Sequence, residues 1–219
     1  MQPAAVLFDL DDTLADRAAA LRRYARFFAE DFGALLLPSL TETLHATLIR
    51  VDDFGSLTQA EALTAALPWR SPVEPEVLFD HWAGRFGEAA VAFEDAEPVL
   101  TELQRRQIRM GLVTNGGAAM QRAKITALDL DRYMSAIVIS AEVGLRKPDE
   151  TIFQRALADL GCAAAESWFV GDHPDLDVRG AHAAGLTPFW VRTGAFDAPE
   201  DLPGRRLDRL SDLLTYLDD

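Results

Sequence analysis

The chain is predicted to be an α/β protein, a Rossmann-like doubly wound parallel sheet with an inserted all-α domain. Two patterns carry that expectation. From about residue 96 onward, short apolar strands alternate with helical segments of roughly 10–15 residues, the signature of a parallel sheet covered by helices on both faces. Between the first strand and that region, residues 16–93 carry helical periodicity throughout.

The first strand is read over Ala5 to Leu10 and runs directly into Asp9, Asp11, Asp12 and Thr13. Leu21, Tyr24, Ala25, Phe28 and Phe32 then recur at helical spacing and stop at Gly33, which is expected to be a left-handed C′ glycine. Arg22, Arg23 and Arg26 fall on the opposite, solvated face. Further helices are expected over Leu40–Val51, Leu57–Ala66 and Pro75–Ala92. The α/β region continues with a helix over Pro98–Arg106, a strand over Arg109–Val113, a helix ending near Leu128 and a strand over Ala136–Ile139. A helix over Glu150–Leu160, a strand over Ser167–Val170 and a helix over Asp177–Ala184 follow. The last strand is expected over Pro188–Val191, and a helix near Asp208–Leu217 closes the chain. Residues 1–15 and 94–219 would therefore form the core and 16–93 the helical insert, with the crossings near Ala15 and Glu94 side by side.

Composition narrows the function classes. The 219 residues are 49% hydrophobic and 26% charged, ordinary for a globular protein, and no run approaches the roughly 20 apolar residues of a membrane span. No signal peptide is visible after Met1, and Cys162 is the single cysteine, so a cytoplasmic protein without disulfides is expected. Cys162 is read as an inert structural thiol. A net charge of −14 argues against nonspecific nucleic-acid binding but not against a small anionic substrate, since a local cation can reverse the field in a pocket. Lys124 and Lys147 are the two lysines, and Asn115 the one asparagine, so their positions carry weight.

In a parallel sheet, ligands bind at the carboxyl ends of the strands. Four polar clusters fall at such ends: Asp9-Leu10-Asp11-Asp12-Thr13, Thr114-Asn115-Gly116, Lys147-Pro148, and Gly171-Asp172 continuing to Asp177. Each has a plain structural alternative as a turn, a cap or a helix entry; their convergence on one edge favours chemistry. That chemistry is phosphoryl transfer. Asp9 is an oxygen nucleophile able to form an aspartyl-phosphate. Asp9, the backbone carbonyl of Asp11 and Asp172 offer the oxygen ligands that suit Mg²⁺, and Asp177 would either ligate directly or orient a metal-bound water. Lys147 supplies a compact charge for phosphate oxygens, and Thr114 with the following amides donates to the transferring group. Asp11 would protonate the leaving alkoxide and later accept a proton from water.

These four segments resemble, in order, the four motifs of the haloacid dehalogenase-like (HAD) superfamily, and the helical insert is similar to the cap domain placed after motif one in one branch. The run Val138–Pro148 looks closest to the nucleotidases and N-acylneuraminate-9-phosphate phosphatases. The resemblance implies Asp9 as nucleophile, Asp11 as general acid/base, Thr114 and Lys147 as phosphate contacts and Asp172 as metal ligand; Asn115, beside Thr114 in motif two, is a further candidate substrate-binding residue. His173 is read as a loop residue and Asp175 as a solvated or capping carboxylate.

The expected activity is a Mg²⁺-dependent phosphatase of a small phosphorylated metabolite, with nucleoside monophosphates and sugar phosphates as candidates. A metal-independent 2-haloacid dehalogenase is the main alternative. Halide needs no acid to leave and no metal, so Asp11, Asp172 and Asp177 count against it. A phosphomutase would share the site. Phosphonate hydrolases of the family use a cap lysine, and residues 16–93 contain none. Trp69-Arg70 and Asp52-Asp53-Phe54-Gly55 are read equally as pocket or packing elements, and a monomer or weak homodimer is the default assembly.

Overall fold

A computed structural model describes residues 2–36, 41–52, 56–194, 196 and 199–218, the side chains of 41–43 aside. Six strands, β1 (Ala5–Phe8), β2 (Arg109–Thr114), β3 (Ala136–Ile139), β4 (Ser167–Gly171), β5 (Thr187–Val191) and β6 (Arg205–Leu207), form one sheet in the order β3-β2-β1-β4-β5-β6. All neighbours are parallel, and Leu7 of β1 sits opposite Gly111 of β2 and Phe169 of β4. The strand order reverses at β1, which makes the carboxyl end of β1 the topological switch point where ligands bind.

Period-two alternation splits the strands between two apolar layers. Val6 and Phe8 of β1 face Val99, Leu100 and Leu103 of a helix over Ala96–Arg105, together with Leu210, Leu213 and Leu217 near the chain end. Ala5 and Leu7 face Ile152, Phe153 and Ala156 of a helix over Glu150–Leu160. All four β1 residues are fully buried, so this strand has no polar face to lose to solvent.

Between β1 and the rest of the sheet lie α1 (Arg17–Phe32), α2 (Thr41–Arg50), α3 (Leu57–Ala66) and α4 (Pro75–Arg85). Asp16 caps α1 by accepting from the Ala19 N–H at 2.8 Å. These helices close on an apolar core of their own that includes Tyr24, Phe28, Leu48, Leu63, Trp82 and Phe86. The two chain crossings run side by side: the Asp16 N–H donates to Val91 O at 2.8 Å, and the Phe93 N–H to Leu14 O at 3.0 Å. After the segment returns, the chain adds α5 (Ala96–Arg105), α6 (Ala118–Ala127), α7 (Ser140–Val143), α8 (Glu150–Leu160) and α9 (Gly180–Ala183). The helical segment rests on α6, where Gly87 lies so close to Ala123 that a Cβ on Gly87 would collide with it.

Several elements differ from the sequence-based expectation. Gly33 is right-handed (φ −56°) and carries the chain on into a 3-10 turn over Gly33–Leu35 instead of capping α1 in the left-handed region. The helix expected to reach Ala92 ends at Arg85, and a short turn over Gly87–Ala89 follows where the close approach to α6 leaves no room for a side chain. Residue 40, the expected start of the second helix, lies outside the described residues. Pro188–Val191 is not the last strand: β6 follows it, hidden from pattern reading because Arg205 and Arg206 are exposed on an edge strand and Leu207 alone is buried. The helix expected from Asp177 begins instead at Pro174 as a wider π turn, since a proline fits the first helical position and His173 caps it. The closing segment Leu210–Leu217 is 3-10 in character. Among the described residues no helix is long and apolar enough to cross a membrane.

The Gly87 contact gives a paired test. Gly87→Val should destabilise the protein by roughly 1–3 kcal/mol through overpacking. Gly84→Ala, in the exposed last turn of α4 with open space around its Cβ, should stabilise by about 0.5–1 kcal/mol. Urea unfolding reads both; equal signs would mean that Gly87 is not a packing constraint.

Candidate active site

Asp9 lies immediately after β1, and its N–H donates to Val170 O of β4 at 2.9 Å, so the sheet ladder itself fixes the backbone that carries this carboxylate. Thr114 closes β2, Asp172 follows β4, and Asp177 folds back from the turn after it. Gly171 makes that return possible: a Cβ there would occupy the space of the Asp177 carboxylate. Lys147 arrives on the loop after α7, ahead of a cis Lys147–Pro148 bond. Asn115 clamps that loop, donating from Nδ2 to Lys147 O at 3.0 Å and accepting the Lys147 N–H on Oδ1 at 2.9 Å. The sequence suggested Asn115 as a substrate contact; its amide is engaged in holding the lysine.

The Lys147 ammonium is 3% exposed and lies 2.5 Å from Asp9 Oδ1 and 2.6 Å from Asp177 Oδ1. Burial disfavours its charge, but Asp177 and Asp9 outweigh that and raise its pKa. The second Asp177 oxygen accepts the His173 N–H at 3.0 Å. Burial pushes Asp9 up to about 7, with Lys147 pulling against it and Asp177 adding repulsion. Asp172 rises to about 9, first by burial and then by repulsion from Asp9 and Asp177. Asp9, Asp172 and Asp177 each bring one oxygen within 4.8 Å of the others, and all three are buried. One ammonium among three buried carboxylates leaves negative charge uncompensated. A donor set made only of hard oxygens fits a divalent cation.

Asp11 belongs to a separate cluster. Its carboxylate accepts from Lys124 Nζ at 2.7 and 2.8 Å and from Gln121 Nε2 at 3.1 Å, and the same Gln121 amide donates to Thr114 Oγ1 at 2.6 Å. Burial would raise the Asp11 pKa, yet the Lys124 charge and hydrogen bond bring it below the usual carboxylate value. The Asp11 side chain is thus engaged by Lys124 and Gln121 and is not one of the three carboxylates of the Asp9–Asp172–Asp177 group; the metal ligand expected of Asp11 is its backbone carbonyl, a different atom. Asp12 adopts a left-handed backbone (φ 58°) and accepts the Arg17 N–H at 3.3 Å, shaping the turn into α1. Lys124 and Gln121 were not singled out as site residues from sequence. The available signal was that Lys124 is one of two lysines and follows the Thr114-Asn115-Gly116 cluster on the next helix.

The remaining sequence candidates take structural roles. His173 Nδ1 accepts the N–H groups of Asp175 and Leu176, both at 3.2 Å, and its ring packs on Phe196. Asp175 is exposed and pairs with Arg179 at 3.2 Å. Trp69 donates to Thr64 O and packs on Phe28 and Phe32, while Arg70 donates to Leu36 O. Asp52 holds Arg17 at 2.7 Å; Asp53, Phe54 and Gly55 lie outside the described residues. Cys162 is half-buried, its thiol directed at backbone carbonyls.

A cavity of about 260 Å³ opens beside Asp11 between α4 and α6, lined by Arg17, Trp82, Phe86, Gln121 and Lys124 among others. A larger one of about 330 Å³ is lined by Asp12, Thr13, Phe93 and Arg192 among others; neither cavity is lined by Asp9 or Lys147, and of the two the smaller alone is lined by Asp11. The smaller cavity is the one that Asp11, Gln121 and Lys124 border together.

Residues 6–191 match the model of a family described as haloacid dehalogenase-like hydrolase. The chain is 35% identical over 207 residues to a phosphoserine phosphatase of Thermus thermophilus, covering 90% of this chain and 81% of that protein. It is also 35% identical to a glyceraldehyde 3-phosphate phosphatase of Methanopyrus kandleri, over 96% and 95% of the two chains. The branch suggested by the motif run is represented too, by the mouse N-acylneuraminate-9-phosphatase at 29% identity over 85% and 82%. Among solved structures, a HAD-hydrolase from Bacillus subtilis, YfnB, bound to magnesium, superposes with a TM-score of 0.80 at 21% identity over the whole of both chains, a likeness of fold.

The raised pKa of Asp172 has a defined consequence for stability. A folded-state pKa above the ordinary value means that the folded protein holds the proton more tightly than the unfolded chain. Its stabilising contribution is present at low pH and lost as pH rises toward about 9. In EDTA at about pH 8, Asp172→Asn should therefore be more stable than the parent by roughly 1–3 kcal/mol, with a flatter stability profile from about pH 5 upward. Urea unfolding at the two pH values reads this; a less stable variant at the higher pH would contradict the repulsion.

Proposed function

The chain belongs to the haloacid dehalogenase-like hydrolase family, and we propose that it hydrolyses a small phosphomonoester through an aspartyl-phosphate on Asp9. The observation that carries this reading is the division of labour between two carboxylates only two residues apart. Asp9 is buried against an ammonium and two further carboxylates, while Asp11 stands at the cavity mouth in an ion pair of its own. A nucleophile and a proton donor need that separation.

Asp9 Oδ attacks phosphorus, and the bond from phosphorus to the leaving oxygen breaks. The negative charge of the bound phosphate offsets the hold of Lys124 and favours the protonated form of Asp11, which gives its proton to that oxygen, and the alcohol departs. Water then attacks the phosphorus of the acyl phosphate, Asp11 accepts the water proton, and phosphate and the free Asp9 carboxylate are regenerated. Lys147 holds the phosphoryl oxygens and favours the ionised form of Asp9, and Thr114 donates to the same group. Asp9 and Asp172 are the residues that would hold Mg²⁺, with Asp177 fixing Lys147 and the loop beside them. When bound, Mg²⁺ offsets the charge of the carboxylates and of the transferring phosphoryl group.

Residues 16–93 act in this reading as a cap, contributing Arg17, Trp82 and Phe86 to the leaving-group cavity. The cavity admits a small phosphorylated metabolite. Sugar phosphates and nucleoside monophosphates are the candidates, beside the phosphoserine and glyceraldehyde 3-phosphate named for the relatives. A dehalogenase would have no use for Asp11 as an acid or for the charge excess around Asp172.

Asp9→Asn should lose turnover of 4-nitrophenyl phosphate by several orders of magnitude while keeping the parent's unfolding transition. Activity near that of the parent would remove Asp9 as the nucleophile. EDTA should abolish phosphate release and added Mg²⁺ restore it; release of halide from a 2-haloacid in EDTA would instead favour the dehalogenase.

A further inference from the structure

We propose that Lys124 is a positioning residue, aiming the Asp11 carboxylate and tying that aim to the seating of the helical segment through Phe86. The inference rests on the phosphatase reading above. Lys124 is 5% exposed, and its ammonium bonds both Asp11 oxygens, at 2.7 and 2.8 Å. Gln121, three residues earlier on α6 and so on the same helix face, donates to Asp11 Oδ2 at 3.1 Å and to Thr114 Oγ1 at 2.6 Å. Two side chains of one helix therefore fix the orientation of the carboxylate and relate it to a phosphate contact on β2.

The other side of Lys124 meets the helical segment. Its Nζ lies 5.6 Å from the centroid of the Phe86 ring, within the range of a cation–π contact. Phe86 is itself stacked on Trp82, with centroids 4.0 Å apart and an interplanar angle of 10°. The next residue, Gly87, packs on Ala123, the neighbour of Lys124. One turn of α6 thus carries both the seat of the segment and the ammonium that holds Asp11.

Phe86 excludes water from one side of the ammonium, and an ion pair strengthens as its surroundings lose water. With the segment lifted, that side of Lys124 is hydrated and its hold on Asp11 weakens. Asp11 is then aimed for proton transfer when a substrate is enclosed, and loosely held when the cavity is open.

Leaving-group dependence separates this role from a structural one. An acid matters little for a good leaving group and greatly for a poor one. The experiment compares kcat/KM across substituted phenyl phosphates, from 4-nitrophenyl to unsubstituted phenyl, for the parent, Asp11→Asn, Lys124→Met and Phe86→Leu. Lys124→Met should lose about tenfold more on phenyl than on 4-nitrophenyl phosphate, in the direction of Asp11→Asn. Phe86→Leu should show the same trend, about threefold. Lys124→Arg, which keeps the charge, should recover part of the loss. An equal fall of Lys124→Met on every substrate, or no fall, overturns the proposal. Should Lys124→Met not fold, Lys124→Gln, which keeps a polar side chain there but drops the charge, carries the same comparison. If the parent releases no phosphate from any of these esters with Mg²⁺ present, the phosphatase reading itself fails; release by the parent with a flat Lys124→Met profile removes this inference alone.

Discussion

A lysine that is nearly inaccessible to solvent keeps its charge only where opposite charges surround it, and Lys147 has two within hydrogen-bond distance, on Asp9 and Asp177. Much of the local structure follows from holding that ammonium in place. Asn115 grips the Lys147 peptide on both sides, which gives the one asparagine of the chain a geometric purpose. Gly171 leaves the room into which the Asp177 carboxylate turns. The parallel pairing of β1 with β2 and β4 brings Asp9, Thr114 and Asp172 to one edge, where no two are neighbours in sequence. Asp172 then adds a third carboxylate that the ammonium does not balance. The excess is the physical basis for reading a divalent cation into the site.

The second structural dependency runs through α6. This helix packs beneath the segment over residues 16–93 at Ala123 and reaches Asp11 through Gln121 and Lys124. Asp11 consequently takes its orientation from a helix that also bears on the cavity wall. The aromatic cluster of Tyr24, Trp82 and Phe86 stiffens the segment side of that contact. In the proposed mechanism, substrate selection and proton transfer would thereby share one mechanical support.

Most of the candidate site was legible in the sequence because its clusters sit at strand ends or in the loops that follow them, and strand ends can be located from apolar runs. Asp9, Thr114, Lys147, Asp172 and Asp177 all reach that site, as their positions implied. The Asp11–Lys124 pair was not legible as a pair, since its partners are 113 residues apart and meet only when α6 packs beside β1. The rarity of lysine drew attention to Lys124 without giving it a partner. β6 escaped notice because an edge strand with exposed arginines lacks the apolar alternation on which pattern reading depends. Gly33 shows the opposite error: a glycine at a helix end suggested a left-handed cap, yet the chain continues in a right-handed turn. Trp69 and Arg70, conspicuous between helices, are consumed by packing and by backbone hydrogen bonds.

The central claim is that Asp9 is the atom acceptor in phosphoryl transfer, and it can be seen directly. The enzyme is mixed with an excess of a phosphomonoester that it hydrolyses, quenched in acid within milliseconds, and treated with borohydride, which reduces an acyl phosphate to the alcohol. Peptide mass spectrometry should then find homoserine at position 9, with the other aspartates unchanged. Release of phosphate during the same mixing with an intact aspartate at position 9, or with homoserine at another site, would contradict the account.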